Sequence, residues 1–214
     1  MSDLDDNYYP DVEEYPVMQA ASLYDSMPNW NDPYIETLVE DRLNVLDMMR
    51  PNTTPADGNC LVHAVLYLMR YAILNIFFNI CRKALNVCFF RNDEDENIRN
   101  MSNMDHRKFR QKVVNSIDKS NLHWDFETRG FKSTWKDEMR RNGTFCDEIF
   151  IQLVCNMLKR RINLFPVFGI GQDHTPMSPQ FDNDEESNPP HYNILYYSET
   201  RFRAGHYQTL LKKQ

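Results

Sequence analysis

The chain has five cysteines, Cys60, Cys81, Cys88, Cys146 and Cys155, and no Cys-x-x-Cys pair among them. An odd set without close pairs suits neither a disulfide framework nor a zinc module, so free thiols in a reducing compartment are expected, with no metal or other cofactor required. Basic clusters are also scarce. Arg140-Arg141 and Lys159-Arg160-Arg161 are short and read as solvated helix ends, so there is no phosphate-binding patch and a nucleic-acid partner is not expected. No apolar run reaches membrane length. The greasiest stretch, residues 71–81, lies between Arg70 and Arg82 and is interrupted by Asn75 and Asn79, whereas a spanning helix needs about twenty apolar residues. The start, Ser2-Asp3-Leu4-Asp5-Asp6, has neither a basic region nor an apolar one, so no secretory signal is visible and an intracellular, cytoplasmic protein is expected, the nucleus left open. Internal repeats are absent.

A length of 214 residues supports one sizeable core and demands no second domain, and a monomer is expected. The net charge of −7 is unevenly placed: residues 1–50 hold twelve Asp/Glu against two Arg, a net −10, which leaves +3 for the remainder. Residues 1–32, rich in Asp, Glu, Tyr, Pro and Asn, show neither helical nor strand period and read as an acidic, flexible segment ahead of a domain over 33–214.

Periodicity then orders the domain. Ile35, Leu38, Val39, Val45, Leu46 and Met49 recur at helical spacing before Pro51. A helix is expected from about Cys60 to Tyr71 and a second from about Leu74 to Cys88, closed by a charged loop from Arg91 to Glu96. Phe109, Val113 and Ile117 mark an amphipathic helix over Arg107 to Lys119, and Ser133 to Arg141 reads as a short one. Asp147-Glu148 place acid at the start of a helix that ends at Lys159-Arg160-Arg161, the charge order its dipole favours. Strands follow at Asn163 to Phe168, Tyr192 to Tyr197 and Tyr207 to Leu211, with Gly169 to Pro190 a loop. The fold class is therefore α+β, with helices packed around a small, mostly antiparallel sheet.

Two short strings carry the chemistry. Asp57-Gly58-Asn59-Cys60-Leu61-Val62-His63-Ala64 puts a cysteine behind a glycine turn at the first turn of a helix, where free N–H groups and the dipole favour a thiolate. Gly205-His206-Tyr207 supplies a histidine near the other end of the domain. These strings, with Gly143-Thr144-Phe145 leading into Asp147-Glu148-Ile149 and the strand Ile162 to Val167, resemble the ovarian tumour (OTU) family of cysteine proteases over about residues 45–213.

The resemblance implies a papain-like architecture of the OTU type and a deubiquitinating activity. The bond cleaved would be an isopeptide or peptide bond at the C-terminus of ubiquitin, of polyubiquitin or of a ubiquitin-like modifier. Cys60 would attack the carbonyl, His206 would hold the thiolate and protonate the leaving amine, and N–H groups of the loop that Asp57 shapes would stabilise the oxyanion. The sequence departs from the family where many members carry Asp or Asn two residues after the histidine, because that position is Gln208. Three orienters stay open: Gln208, Asn193 on the neighbouring strand, or an upstream acid such as Asp41 or Asp47. His191, which directly follows Pro189-Pro190, is set aside as the catalytic histidine. His63 lies one turn beyond Cys60 and reads as a packed helix histidine; Trp124, Trp135 and Phe145 are candidates for a substrate cleft. Asp182, Asp184, Glu185 and Glu186 could meet a basic partner surface. Two other functions remain: a ubiquitin-binding module with little or no turnover, suggested by Gln208 and the acidic start, and a cysteine protease that processes a viral or mobile-element polyprotein.

Overall fold

The computed structural model describes residues 33–51, 53–83, 93–119, 132–168, 171, 173–179, 190–197 and 206–213. The acidic segment 1–32, Gly205, Trp124, Cys88 and the acids at 182–186 lie outside them. Among the described residues the order is α1 (Pro33–Leu46), β1 (Met48–Met49), α2 (Cys60–Lys83), α3 (Asp93–Ser102), α4 (His106–Ser116, with a 3-10 turn Ile117–Lys119), α5 (Lys132–Arg140), α6 (Glu148–Leu158), β2 (Arg161–Pro166), β3 (Thr175–Met177), β4 (His191–Tyr197) and β5 (His206–Lys212). No described helix is long and apolar enough to cross a membrane.

The sheet runs β1-β5-β4-β2-β3, antiparallel throughout except for β2 against β4, which is the expected α+β class. Strand alternation sends successive side chains to opposite faces. Ile162, Tyr192, Ile194 and Tyr207 join Leu61, Val65, Met69, Phe109, Val113, Phe150 and Val154 in one core beneath α2, α4 and α6. Phe165, Leu195, Tyr197 and Leu210 meet Val39, Leu43 and Leu46 of α1 in a second core on the opposite face. The sheet is thus the middle of three layers. Arg42, on the apolar side of α1, is accommodated because its guanidinium donates to the backbone oxygens of Pro166 (3.0 Å), Asp173 (2.8 Å) and Gly171.

The structure corrects several sequence expectations. The first helix stops at Leu46 because Asp47 adopts a left-handed backbone (φ 52°), after which Met48 and Met49 pair with Lys212 and Leu211. The two helices expected after Cys60 are one, since no Gly or Pro interrupts residues 70–75. Residues 93–96, expected to belong to a charged loop, open α3, whose Ile98 and Met101 are buried three residues apart; Arg91 and Asn92 lie outside the described residues. The expected loop at 169–190 contains β3, which lays buried Met177 opposite Ile162. The helix led by Asp147 forms as expected: its side chain caps the Phe150 N–H at 2.8 Å and accepts from the Trp135 indole at 2.7 Å, while Lys159 ends it at φ 50°.

Candidate active site

β1 covers only the far end of β5, so the outer edge of β5 near His206 is left for another segment. Residues 54–60 take it. The Thr54 hydroxyl donates to the Tyr207 carbonyl, and the Tyr207 N–H donates to the Cys60 sulfur. The thiol at the N-terminus of α2 therefore sits on the backbone of the residue that directly follows His206. Both are deeply buried, Cys60 at 1% exposure and His206 at 2%.

The loop before Cys60 is held from several sides. Asp57 Oδ1 accepts the Asn59 N–H at 2.9 Å, and Gly58 turns at φ +75° with its Cα face pressed on the Gly143 backbone. Asn59 Oδ1 accepts from Arg110 Nε (3.2 Å), Arg110 Nη2 (3.0 Å) and the Gly143 N–H (3.4 Å), and its Nδ2 donates to Asn142 Oδ1 at 3.2 Å. Arg110, itself buried, also donates to the carbonyls of Gly58 (2.9 Å), Met139 (3.1 Å) and Thr144 (2.7 Å), and its guanidinium lies over the Phe150 ring. The segment 139–146 is thereby tied to the nucleophile loop. Asp57 is pushed up by burial, but the Asn59 N–H and nearby His63 outweigh that and hold its carboxyl below the usual range.

On the histidine side, Gln208 Nε2 lies 3.1 Å from His206 Nε2, and Gln208 Oε1 accepts from Arg50 Nη1 at 3.0 Å. Arg50 also reaches the Tyr197 hydroxyl (3.4 Å) and both carboxylate oxygens of Glu36 (2.7 and 3.2 Å). The Tyr197 ring packs on the His206 ring with centroids 5.3 Å apart. His206 thus ends a chain Glu36–Arg50–Gln208 drawn from α1, the segment after β1 and β5.

Burial decides the electrostatics of the pair. It drives the Cys60 thiol up to about 11, more than the N–H groups of Tyr207, Leu61 and Cys60 itself can offset. It drives His206 down to about 4, with Arg50 adding to the shift and Asp57 opposing it. Burial thus works against the thiolate that the helix start favours, since desolvation weighs on a charged sulfur more than these N–H groups support it. The same shift makes the fold acid-sensitive. Between the ordinary 6.5 and about 4, the unfolded chain takes up a proton at His206 that the folded one refuses, so stability falls as the pH drops through this window. At about pH 5 the linkage costs about 2 kcal/mol. Urea unfolding at about pH 7 and pH 5 should show His206→Gln losing less stability on acidification than wild type by about this amount; equal losses would contradict the assignment.

The structure does not bring the other candidate orienters to His206. Asn193 faces Leu210 across the β4–β5 ladder, whereas His206 faces Tyr197 four residues along, and the Asn193 side chain accepts from Asn163 at 3.0 Å. Asp41 and Asp47 are exposed; the upstream acid in the network is Glu36, through Arg50. His191 opens β4 at the end away from His206 and is exposed. His63 pairs with Asp57 Oδ2 at 3.4 Å and packs against His106. Trp135 is buried on Asp147, and Phe145 packs against the main core. Cys146 and Cys155 are buried with thiols pushed up to about 12 by desolvation. Among the described residues no group of three or more His, Cys, Asp and Glu could hold a metal ion. Sequence reasoning missed Glu36, Arg50, Asn142 and Arg110. Only Arg110 carries a readable signal, a cation spaced three, four and seven residues before Val113, Val114 and Ile117 on the apolar face of its helix.

No family model matches the sequence, and no curated protein does. Among solved structures the chain is similar to the OTU domain of OTUD1, at 17% identity over 82% of this chain and 98% of that one, with a TM-score of 0.46. It is also similar to the viral OTU domain protease of Dera Ghazi Khan virus (13% identity, 78% and 86% covered, TM-score 0.41) and to a complex described as h/ceOTUB1-ubiquitin aldehyde-UBC13~Ub (14% identity, 84% and 70% covered, TM-score 0.35).

Proposed function

We propose that the chain is a cysteine protease of the OTU type that hydrolyses isopeptide or peptide bonds at the C-terminus of ubiquitin or a ubiquitin-like modifier. One observation carries the reading: the buried Cys60, at a helix start behind a glycine turn, has its sulfur on the backbone N–H that follows His206. In the cycle, the Cys60 sulfur gives its proton to the imidazole and bonds to the scissile carbonyl carbon. The tetrahedral oxyanion collapses, the carbon–nitrogen bond breaks, and the imidazolium returns the proton to the leaving amine. Water, deprotonated by the same imidazole, then hydrolyses the acyl-enzyme. The Asn59 N–H is committed to Asp57, so oxyanion stabilisation falls to the other N–H groups of the loop, that of Cys60 first.

Incubation with ubiquitin bearing a C-terminal electrophile should give a covalent adduct with wild type and none with Cys60→Ala. No adduct with wild type, or an undiminished one with the variant, overturns the proposal. Gln208, which faces His206 Nε2 with its amide nitrogen at 3.1 Å where an acid would supply an oxygen, favours a second reading, a ubiquitin-binding module with little turnover. Saturable ubiquitin binding without cleavage of di-ubiquitin would select it.

A further inference from the structure

We propose that Arg50, braced by Glu36, is a positioning residue that fixes the Gln208 amide with its NH2 toward His206 and so holds His206 as the neutral tautomer protonated on Nδ1, with the Nε2 lone pair occupied by the amide and neither ring nitrogen free to take the Cys60 proton. The inference rests on the reading of Cys60 and His206 as nucleophile and base. A guanidinium has donors only, so the group of Gln208 that faces Arg50 at 3.0 Å must be its oxygen. The amide nitrogen then faces His206 Nε2 at 3.1 Å and donates to it, which requires a lone pair there and places the ring proton on Nδ1. An imidazole that accepts a proton at Nδ1 must instead carry hydrogen on Nε2, and that hydrogen would point at a second donor. The usual solution, an Asp or Asn oxygen turned to the ring, is blocked here by the cation behind the glutamine.

The surroundings of His206 act in the same direction. Arg50 and Glu36 approach behind Gln208, Tyr197 from β4, and Asp57 acts from the nucleophile loop. Of these, Arg50 opposes a proton on His206 and Asp57 favours it, with burial on the side of Arg50. Turnover therefore requires the Arg50–Gln208 bond to break and the amide to turn over, so that Oε1 accepts from Nε2.

Gln208→Glu tests this with an isosteric change, because a carboxylate accepts from Arg50 and from His206 at once. In 15N-histidine-labelled full-length protein at neutral pH, with the His206 signals identified by their loss in His206→Gln, wild type should show Nε2 as a nonprotonated nitrogen and Nδ1 as a protonated one. Gln208→Glu should move the proton to Nε2 and raise the pKa of His206. Alkylation of Cys60 by iodoacetamide, followed by mass spectrometry of its peptide, should speed up at least about tenfold, the effect of one pKa unit on the thiolate fraction. Arg50→Met, which frees the amide to turn, should shift the tautomer in the same direction, and Arg50→Lys, still donor-only, should not. A protonated Nε2 in wild type overturns the proposal without any variant, as does an unchanged tautomer in folded Gln208→Glu. These readouts involve no ubiquitin, so a missing ubiquitin adduct would count against the proposed function alone.

Discussion

Alanine at position 58 is expected to cost the fold about 4 kcal/mol, against about 1 kcal/mol for alanine at position 171. Both glycines have positive φ, +75° and +56°, so both substitutions pay for an L side chain in the left-handed region. The difference lies in the surroundings. A Cβ on Gly58 would stand 1.7 Å from the Gly143 carbonyl oxygen and 2.3 Å from its carbon, both backbone atoms, while one on Gly171 meets nothing within 4 Å. Gly143→Ala falls between, since its Cβ would approach only the Asp57 carbonyl, at 3.2 Å. For Gly58→Ala the loop has to leave the segment 142–144, and the Arg110 and Asn59 bonds leave with it. Urea unfolding of the three variants should rank them 58, then 143, then 171. Gly58→Ala within about 1 kcal/mol of wild type would mean that the two loops are not in contact.

The same loop shows which part of the site a sequence can carry. Asp57, Gly58, Asn59 and Cys60 are consecutive, and a glycine turn ahead of a helix-start cysteine is a local pattern. His206 depends only on its place at the start of a strand. The group behind the histidine is different: it combines Glu36 from α1, Arg50 from an irregular segment and Gln208 from β5, and only the three-dimensional arrangement of these elements puts the first two within reach of the third. Asn193 was a reasonable rival because β4 does neighbour β5. It fails on register, a property that alternating hydrophobicity leaves open in steps of two residues. Among the elements, the long amphipathic helices and the three longer strands follow from apolar spacing. β1 and β3, of two and three residues, are too short to show a period, and α3 hides behind a run of charge.

Arg110→Met is expected to destabilise the protein by about 4 kcal/mol, and Arg110→Lys by nearly as much. Two effects compete. Removing a buried cation that has no carboxylate among its hydrogen-bond partners relieves a desolvation cost, which by itself would favour methionine. Against it stand four buried or half-buried acceptors, Asn59 Oδ1 and the carbonyls of Gly58, Met139 and Thr144, each worth about 1–3 kcal/mol when left without a donor. Three of the four are backbone oxygens outside the sheet, so the loss outweighs the relief. Lysine keeps the charge but offers one nitrogen where the guanidinium spans these four oxygens and the Cys146 sulfur with three, and it forfeits the planar face held over Phe150. The local consequence should exceed the global one: with the segment 139–146 released from the Asp57 to Cys60 loop, hydrogen exchange at the amides of Asn59, Cys60 and Gly143 should accelerate in Arg110→Lys under conditions where the helices α2 and α6 stay protected. Exchange that speeds up evenly across the chain would make Arg110 a general core residue, whereas acceleration confined to these loops identifies it as the clamp that holds the nucleophile against β5.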